Sequence, residues 1–314
     1  MALVVALASC GRYEFQQHDA APACLSWSSE PSGVAKILYE VWIAGPTDIY
    51  VVGDSSILHS TGDGTWTPQT APVTGLYGAW GSAPNDLYVV GNLDAGSSVI
   101  LHSIGDGTWS RQASGTTHSL NKSWGSSPSD IYTVGYTGAI LHSTGDGTWA
   151  TQASTTTTDL LDVWGSSAND VYVVGYSGLI LHSTGDGVWM LESSGTAEPL
   201  IAVWGSGASD LYAVGHGGTI LHSTGGGTWV PEVSGAPFDL YAVWGSGPND
   251  IFAVGKSDTV LHSTGDGTWT STPLATGATD FSGVEGVGSR DVYLAGRIGV
   301  IAHGRRCSGI TGGG

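Results

Sequence analysis

One phrase of about forty residues runs through this chain seven times, and the last copy lacks its final piece, which stands instead near the front of the chain. An apolar run ending in Trp recurs at Trp42, Trp80, Trp124, Trp164, Trp204 and Trp244, with Val284-Glu285 in the seventh place. A histidine follows in every copy, at His59, His102, His142, His182, His222, His262 and His303. Seven residues after each of the first six histidines comes a second Trp: Trp66, Trp109, Trp149, Trp189, Trp229 and Trp269. The two series account for 12 of the 13 Trp. The remaining one, Trp27, lies 15 residues before Trp42, as Trp109 lies 15 before Trp124. Trp27 is therefore read as the missing strand of the seventh copy.

Repeats of this length build solenoids or propellers. Within one copy the pattern gives four short strands, Leu240 to Trp244, Ile251 to Val254, Thr259 to His262 and Thr268 to Thr270, broken by Gly, Ser, Asn and Asp. A solenoid has no use for a relocated strand, whereas a ring is closed by one. The expectation is an all-β fold, a seven-bladed β-propeller of four-stranded blades in which the N-terminal strand completes the last blade.

Charge limits the partners. Only 11% of the 314 residues are charged, and nine Lys and Arg face 27 Asp and Glu, for a formal net charge of −18. Phosphate binding needs clustered cations, so nucleic acid is excluded as a partner. The 50 Gly fall at turn positions, which distinguishes this chain from a disordered low-complexity one.

The opening MALVVALASC is a short apolar run ending in Leu7-Ala8-Ser9-Cys10. It resembles the lipobox of bacterial lipoproteins, although no Lys or Arg precedes the apolar run. The resemblance implies acylation of Cys10, and Gly11 after it implies passage beyond the inner membrane, so that the lipid anchor is the only link to a membrane. The organisation is then a signal-like segment at 1–9, a tether at 10–23, the propeller at 24–307 and a disordered tail at 308–314. The location the resemblance implies is the cell envelope or outside it, as an outer-membrane lipoprotein. Cys24 and Cys307 both map onto the position of Asp63 in the repeat, and they predict a disulfide across the ring closure. In the chain-entropy model so long a loop contributes at most about 5 kcal/mol. Two buried free thiols are the alternative.

The phrase LHSTGDGTW at 58–66, 141–149 and 261–269 resembles the Asp-box of BNR-repeat propellers, such as sialidases and sortilin-type receptors. Ser60, Asp63, Gly64, Thr65 and Trp66 keep its residue types in a box one residue shorter. The resemblance implies the fold and a structural hairpin, and leaves activity to be argued from a site. Sialidases use an arginine triad with a tyrosine nucleophile and a glutamate. Here Arg290, Arg297, Arg305 and Arg306 crowd into the last copy and no triad can be placed. No nucleophile elbow, zinc motif or phosphate loop is present, and no cofactor is expected. The seven histidines lie too far apart around a ring to share one metal, which leaves them a structural task.

Propeller connectivity puts the turns between strands 1 and 2 and between 3 and 4 on one face, where the wording is nearly constant. The turns between strands 2 and 3 lie on the other face, and there the copies diverge: Asp54, Asn92, Tyr136, Tyr176, His216, Lys256 and Arg297 occupy one position. Binding is expected on that divergent face. Tyr136, Tyr176 and His216 on successive blades could offer flat faces to a glycan or a protein, and drift at permissive turns explains them equally well. Glu40, Lys122 and Asp162 each stand two residues before the inner Trp, where they form either a ligand-binding group at the channel mouth or a mutually paired ion cluster. The preferred expectation is a non-catalytic, surface-tethered binding propeller recognising a glycan or protein. The alternatives are a glycan-cleaving glycosidase or lyase using the acidic residues near the channel, and a structural or assembly factor of the envelope.

Overall fold

The structure is a computed structural model that describes residues 25–71, 73–93, 97–272, 274 and 280–306. The signal-like segment, the tether, Cys10, Cys24, Cys307 and the tail lie outside these residues.

Seven four-stranded antiparallel sheets form a closed ring, a seven-bladed β-propeller. The first strand, β1 (Leu25–Pro31), belongs to the last blade, and blade 1 follows as β2 (Leu38–Gly45), β3 (Asp48–Gly53), β4 (Ser56–Ser60) and β5 (Thr67–Gln69). Blades 2 to 6 repeat this order, innermost strand first. Blade 7 consists of Phe281–Val287, Asp291–Gly296 and Val300–Arg306, completed on its outside by β1. Trp27 sits opposite Gly304 in that ladder, so the relocated strand is where the repeat pattern put it.

The blades have no common core. Seven separate apolar clusters each fill one wedge between neighbours, for example Leu38, Val41, Val51 and Trp66 of blade 1 against Tyr293 and Ile301 of blade 7. The second strand of every blade is covered on both faces. It therefore carries a run of buried residues that is apolar throughout in six blades, as in Asp170–Gly175, and holds one threonine, Thr133, in blade 3, and it does not alternate.

Trp side chains join the wedges at two radii. Near the axis, Trp42, Trp80, Trp124, Trp164, Trp204 and Trp244 each lie over a glycine of the next blade. A Cβ on Gly125 would meet the Trp80 ring at 2.6 Å, so only glycine fits there. At the rim, the indole N–H of the outer Trp in blades 1 to 6 donates to a Gln or Glu on the preceding blade's outermost strand, as Trp149 does to Gln112 at 2.8 Å. Trp66 donates to Glu30 on β1 at 2.8 Å, so the closing strand also takes part.

Each histidine joins strands within its blade. His142 bonds Asp130 at 2.8 Å and lies against Tyr132 with ring centres 4.5 Å apart, while Trp189 of the next blade meets Tyr132 edge-on. All seven copies have the histidine–aspartate bond. Among the described residues no group of three or more His, Cys, Asp or Glu gathers as a metal site.

In the turn word, Asp63 Oδ1 accepts the Thr65 amide at 2.8 Å while Gly62 and Gly64 take φ of +80° and +82°. Blade 5 has Gly226 in place of the aspartate, and there three successive glycines, Gly225, Gly226 and Gly227, adopt positive φ. The carboxylate is dispensable because the backbone takes another path.

Candidate functional site

The two faces separate as the repeat wording implies. Gly62 in the turn between β4 and β5 lies against the Pro46 carbonyl in the turn between β2 and β3, on the constant face. Gly138, in the turn after Asp130–Gly135, lies against the Thr156 carbonyl in the link to the next blade, on the divergent face.

At the centre of the divergent face, a cavity of about 510 Å³ opens over the channel. Its wall comes from residues three before the inner Trp position in all seven blades: Tyr39, Tyr77, Asn121, Leu161, Ile201, Tyr241 and Ser282. Tyr136, Tyr176 and Arg297 reach it from the turns between second and third strands, and Lys122 lies at its floor. A larger depression of about 660 Å³ lies to one side, walled mainly by Thr151, Ser154, Thr155, Thr156 and their neighbours. It holds a single ionisable side chain, His118, and lies away from the channel, so the central cavity is the stronger candidate.

Five tyrosines line the central cavity. Tyr39 and Tyr77 meet edge-to-face with centres 5.3 Å apart, and the Tyr77 hydroxyl donates to Asn92 Oδ1 at 3.3 Å. Tyr136 and Tyr176 are exposed at 44% and 41%, which makes their rings available to an incoming group. Burial raises the pKa of Tyr39 and Tyr136 above the ordinary phenol value, so both hydroxyls remain protonated donors at neutral pH.

Below them the channel carries charges that are already committed. Lys122 of blade 3 forms an ion pair with Glu40 of blade 1, passing Gly78 of blade 2. A Cβ at Gly78 would come within 3.3 Å of the lysine chain, so the small residue makes the crossing possible. Asp162 accepts the Val163 amide at Oδ1 and the Val203 amide of the next blade at Oδ2, both at 2.9 Å. Burial pushes its carboxyl up to about 6, against the pull of Lys122 and the two amides. Burial also lowers Lys122, which Asp162 and Glu285 counteract.

Glu285 replaces the inner Trp of blade 7. Correspondingly, Ile43 stands in blade 1 where blades 2 to 7 have the glycine on which a Trp rests. Glu285 accepts the Ile43 amide, and burial drives it up to about 8, with that amide and Lys122 opposing.

Of the residues singled out from sequence, Tyr136, Tyr176 and Lys122 come together at the cavity, with Glu40 beneath. Asp162 ties two blades together below the mouth. His216 does not line the cavity. The sequence reading missed Tyr39, Tyr77 and Tyr241. The available signal was divergence among copies three residues before the inner Trp, at a position that points into the mouth.

No family model matches the chain, and no curated protein matches it. Solved structures do. YCF48 from Cyanidioschyzon merolae superposes with a TM-score of 0.73 at 18% identity, over 88% of this chain and 98% of that one. A structure of YCF48 bound to D1 peptide gives 0.74 at 16%, over 92% and 96%. Virginiamycin B lyase from Staphylococcus aureus gives 0.81 at 13%, over 90% and 100%. At such identities the likeness establishes the propeller and leaves function to the site.

Proposed function

We propose that this protein is a binding propeller whose tyrosine-walled cavity on the divergent face receives part of a polypeptide partner. The observation that carries the reading is the convergence of Tyr39, Tyr77, Tyr136, Tyr176 and Tyr241 with Arg297 around one central opening. Tyr and Arg are the residues that dominate protein–protein recognition, and a rigid ring presents them at little entropic cost. A propeller of the same architecture has been solved with a peptide bound, which supports a polypeptide over a glycan as the first choice. The glycan-cleaving alternative has less support, because Glu40 is ion-paired and both Asp162 oxygens hold backbone amides.

The proposal extends to an Asp-box-like repeat and to a place outside the cytoplasm, with Cys10 as a lipid anchor and a Cys24–Cys307 disulfide across the closure. The test is binding to a displayed peptide library and to a glycan array, with wild type beside a Tyr136→Ala/Tyr176→Ala variant. Peptide ligands that lose at least about tenfold affinity to the double variant are expected. Glycan-only binding, or equal binding by both proteins, refutes the reading.

A further inference from the structure

We propose that the partner inserts a single carboxylate into this cavity and that Arg297 is the residue that binds it; the inference rests on the polypeptide-binding reading above. Two cations line the cavity, Lys122 and Arg297. Lys122 is used by Glu40, and Arg297 is not used up. One terminal nitrogen of Arg297, Nη1, donates to Asp280 Oδ2 at 3.0 Å, and Asp280 is itself fixed through Oδ1 by the Ser257 amide at 3.1 Å. The guanidinium is thus oriented along one edge, while its side chain stays 53% exposed with donors to spare. A planar fork held on one side and open on the other suits a carboxylate.

The surroundings limit how much negative charge can enter. Lys36 and Lys256 stand on the same side of the face, on the link into blade 1 and the blade 6 turn, but Asp54, Asp239 and Asp258 stand there too. With a chain charge of −18, a polyanion such as a uronate-rich glycan is repelled and one carboxylate is tolerated. Beside Arg297, Ile298 holds φ of +60° and is 64% exposed. A β-branched residue in that region is strained, and the corresponding residues Thr137, Ser177 and Gly217 are smaller. Ile298 supplies an exposed apolar side chain next to the anion site, and Tyr136 and Tyr176 of blades 3 and 4 line the other side of the opening. The ligand is therefore a polypeptide carboxylate neighboured by an aliphatic or aromatic side chain.

A phage-displayed dodecapeptide library selected on the wild-type protein provides the probe. Selected peptides are resynthesised with free or amidated C termini and with each Asp or Glu changed to its amide. Affinities are then read by fluorescence anisotropy against wild type, Arg297→Gln, Arg297→Lys and Tyr136→Ala/Tyr176→Ala. Neutralising one peptide carboxylate, or Arg297→Gln, is expected to weaken binding at least about tenfold, with no further loss when the two are combined and an intermediate loss for Arg297→Lys. Whether the sensitive group is the chain end or a side chain identifies the source of the carboxylate. Unchanged thermal unfolding of the exposed Arg297 variants shows that the loss is local. If Arg297→Gln binds as wild type while the tyrosine variant does not, the carboxylate inference falls and the cavity reading stands. If no peptide is selected, or neither variant matters, both fall.

Discussion

Trp27 tests how the rim holds the ring together. In six copies the outer Trp donates its indole N–H to a Gln or Glu three residues after the previous blade's outer Trp: Glu30, Gln69, Gln112, Gln152, Glu192 and Glu232. The corresponding residue before Trp27 is Thr272, and the buried Trp27 Nε1 has no partner among the described residues. Trp27→Phe and Trp149→Phe each remove about two buried ring carbons, a packing loss of about 1.5 kcal/mol. Trp149→Phe also gives up a hydrogen bond worth about 1 kcal/mol, for a total near 2.5 kcal/mol. Trp27→Phe instead removes an orphaned donor whose burial costs about 1–2 kcal/mol, so the packing loss is roughly cancelled. The two variants should differ by about 2.5 kcal/mol, or at least about 5 °C in Tm by scanning calorimetry. Thr272→Gln should raise Tm in wild type and not in the Trp27→Phe background. Equal destabilisation by the two Phe variants would refute the assignment of Thr272 as the missing acceptor.

Two further predictions concern the carboxyls at the closure. Burial alone would raise Glu30, but hydrogen bonds from His303 and Trp66 and the charge of His303 hold it below the usual carboxylate range. Its stabilising contribution is therefore present above the ordinary carboxylate pKa and is lost as pH falls through the lower folded value, so an acid titration of Tm should be shallower in Glu30→Gln, which should also be less stable at neutral pH. Glu285 behaves in the opposite sense. It is raised to about 8, so it stays protonated in the fold while the unfolded chain has lost its proton, and stability declines as pH climbs from the ordinary carboxylate value toward 8. Glu285→Gln keeps an acceptor for the Ile43 amide and should stabilise the ring at pH 7.5 by as much as about 4 kcal/mol, measured by calorimetry, with the gain vanishing near pH 4.

The fold was legible because the repeat makes every element recur. A single Trp27 outside both Trp series carried the closure, and the constant histidine could be recognised as structural because a ring disperses it. The site was harder to read because it is made from departures from the repeat. Tyr136 and Tyr176 were visible in divergent turns, but Tyr39, Tyr77 and Tyr241 sit inside strands framed by a constant Leu before and Trp after, and the period conceals them. The Lys122–Glu40 pair needed three dimensions, since blade 2 lies between the partners and only Gly78 lets the lysine through. The Glu285 and Ile43 exchange was written in the sequence as a missing Trp and a missing glycine. It becomes meaningful only once the last blade is known to lie beside the first.

Closure itself requires explanation, because blade 7 lacks one standard Trp contact on each side: the inner one toward blade 1, where Glu285 and Ile43 stand, and the outer one toward blade 6, where Trp27 has no acceptor. It also lacks the hairpin turn that ties the outer strand to its neighbour in every other blade. The sequence offsets these losses in the ladder. The outermost strands Thr67–Gln69 and Ser110–Gln112 are 3 residues long, whereas β1 is 7 residues long and pairs along its whole length with Val300–Arg306. Ser26 and Ser28 add hydroxyl bonds to the carbonyls of Arg305 and His303, and Glu30 receives both His303 at 2.9 Å and Trp66 at 2.8 Å. A strand joined to its blade by no turn must be held by its own pairing, and its length and its doubly bonded carboxylate supply that pairing.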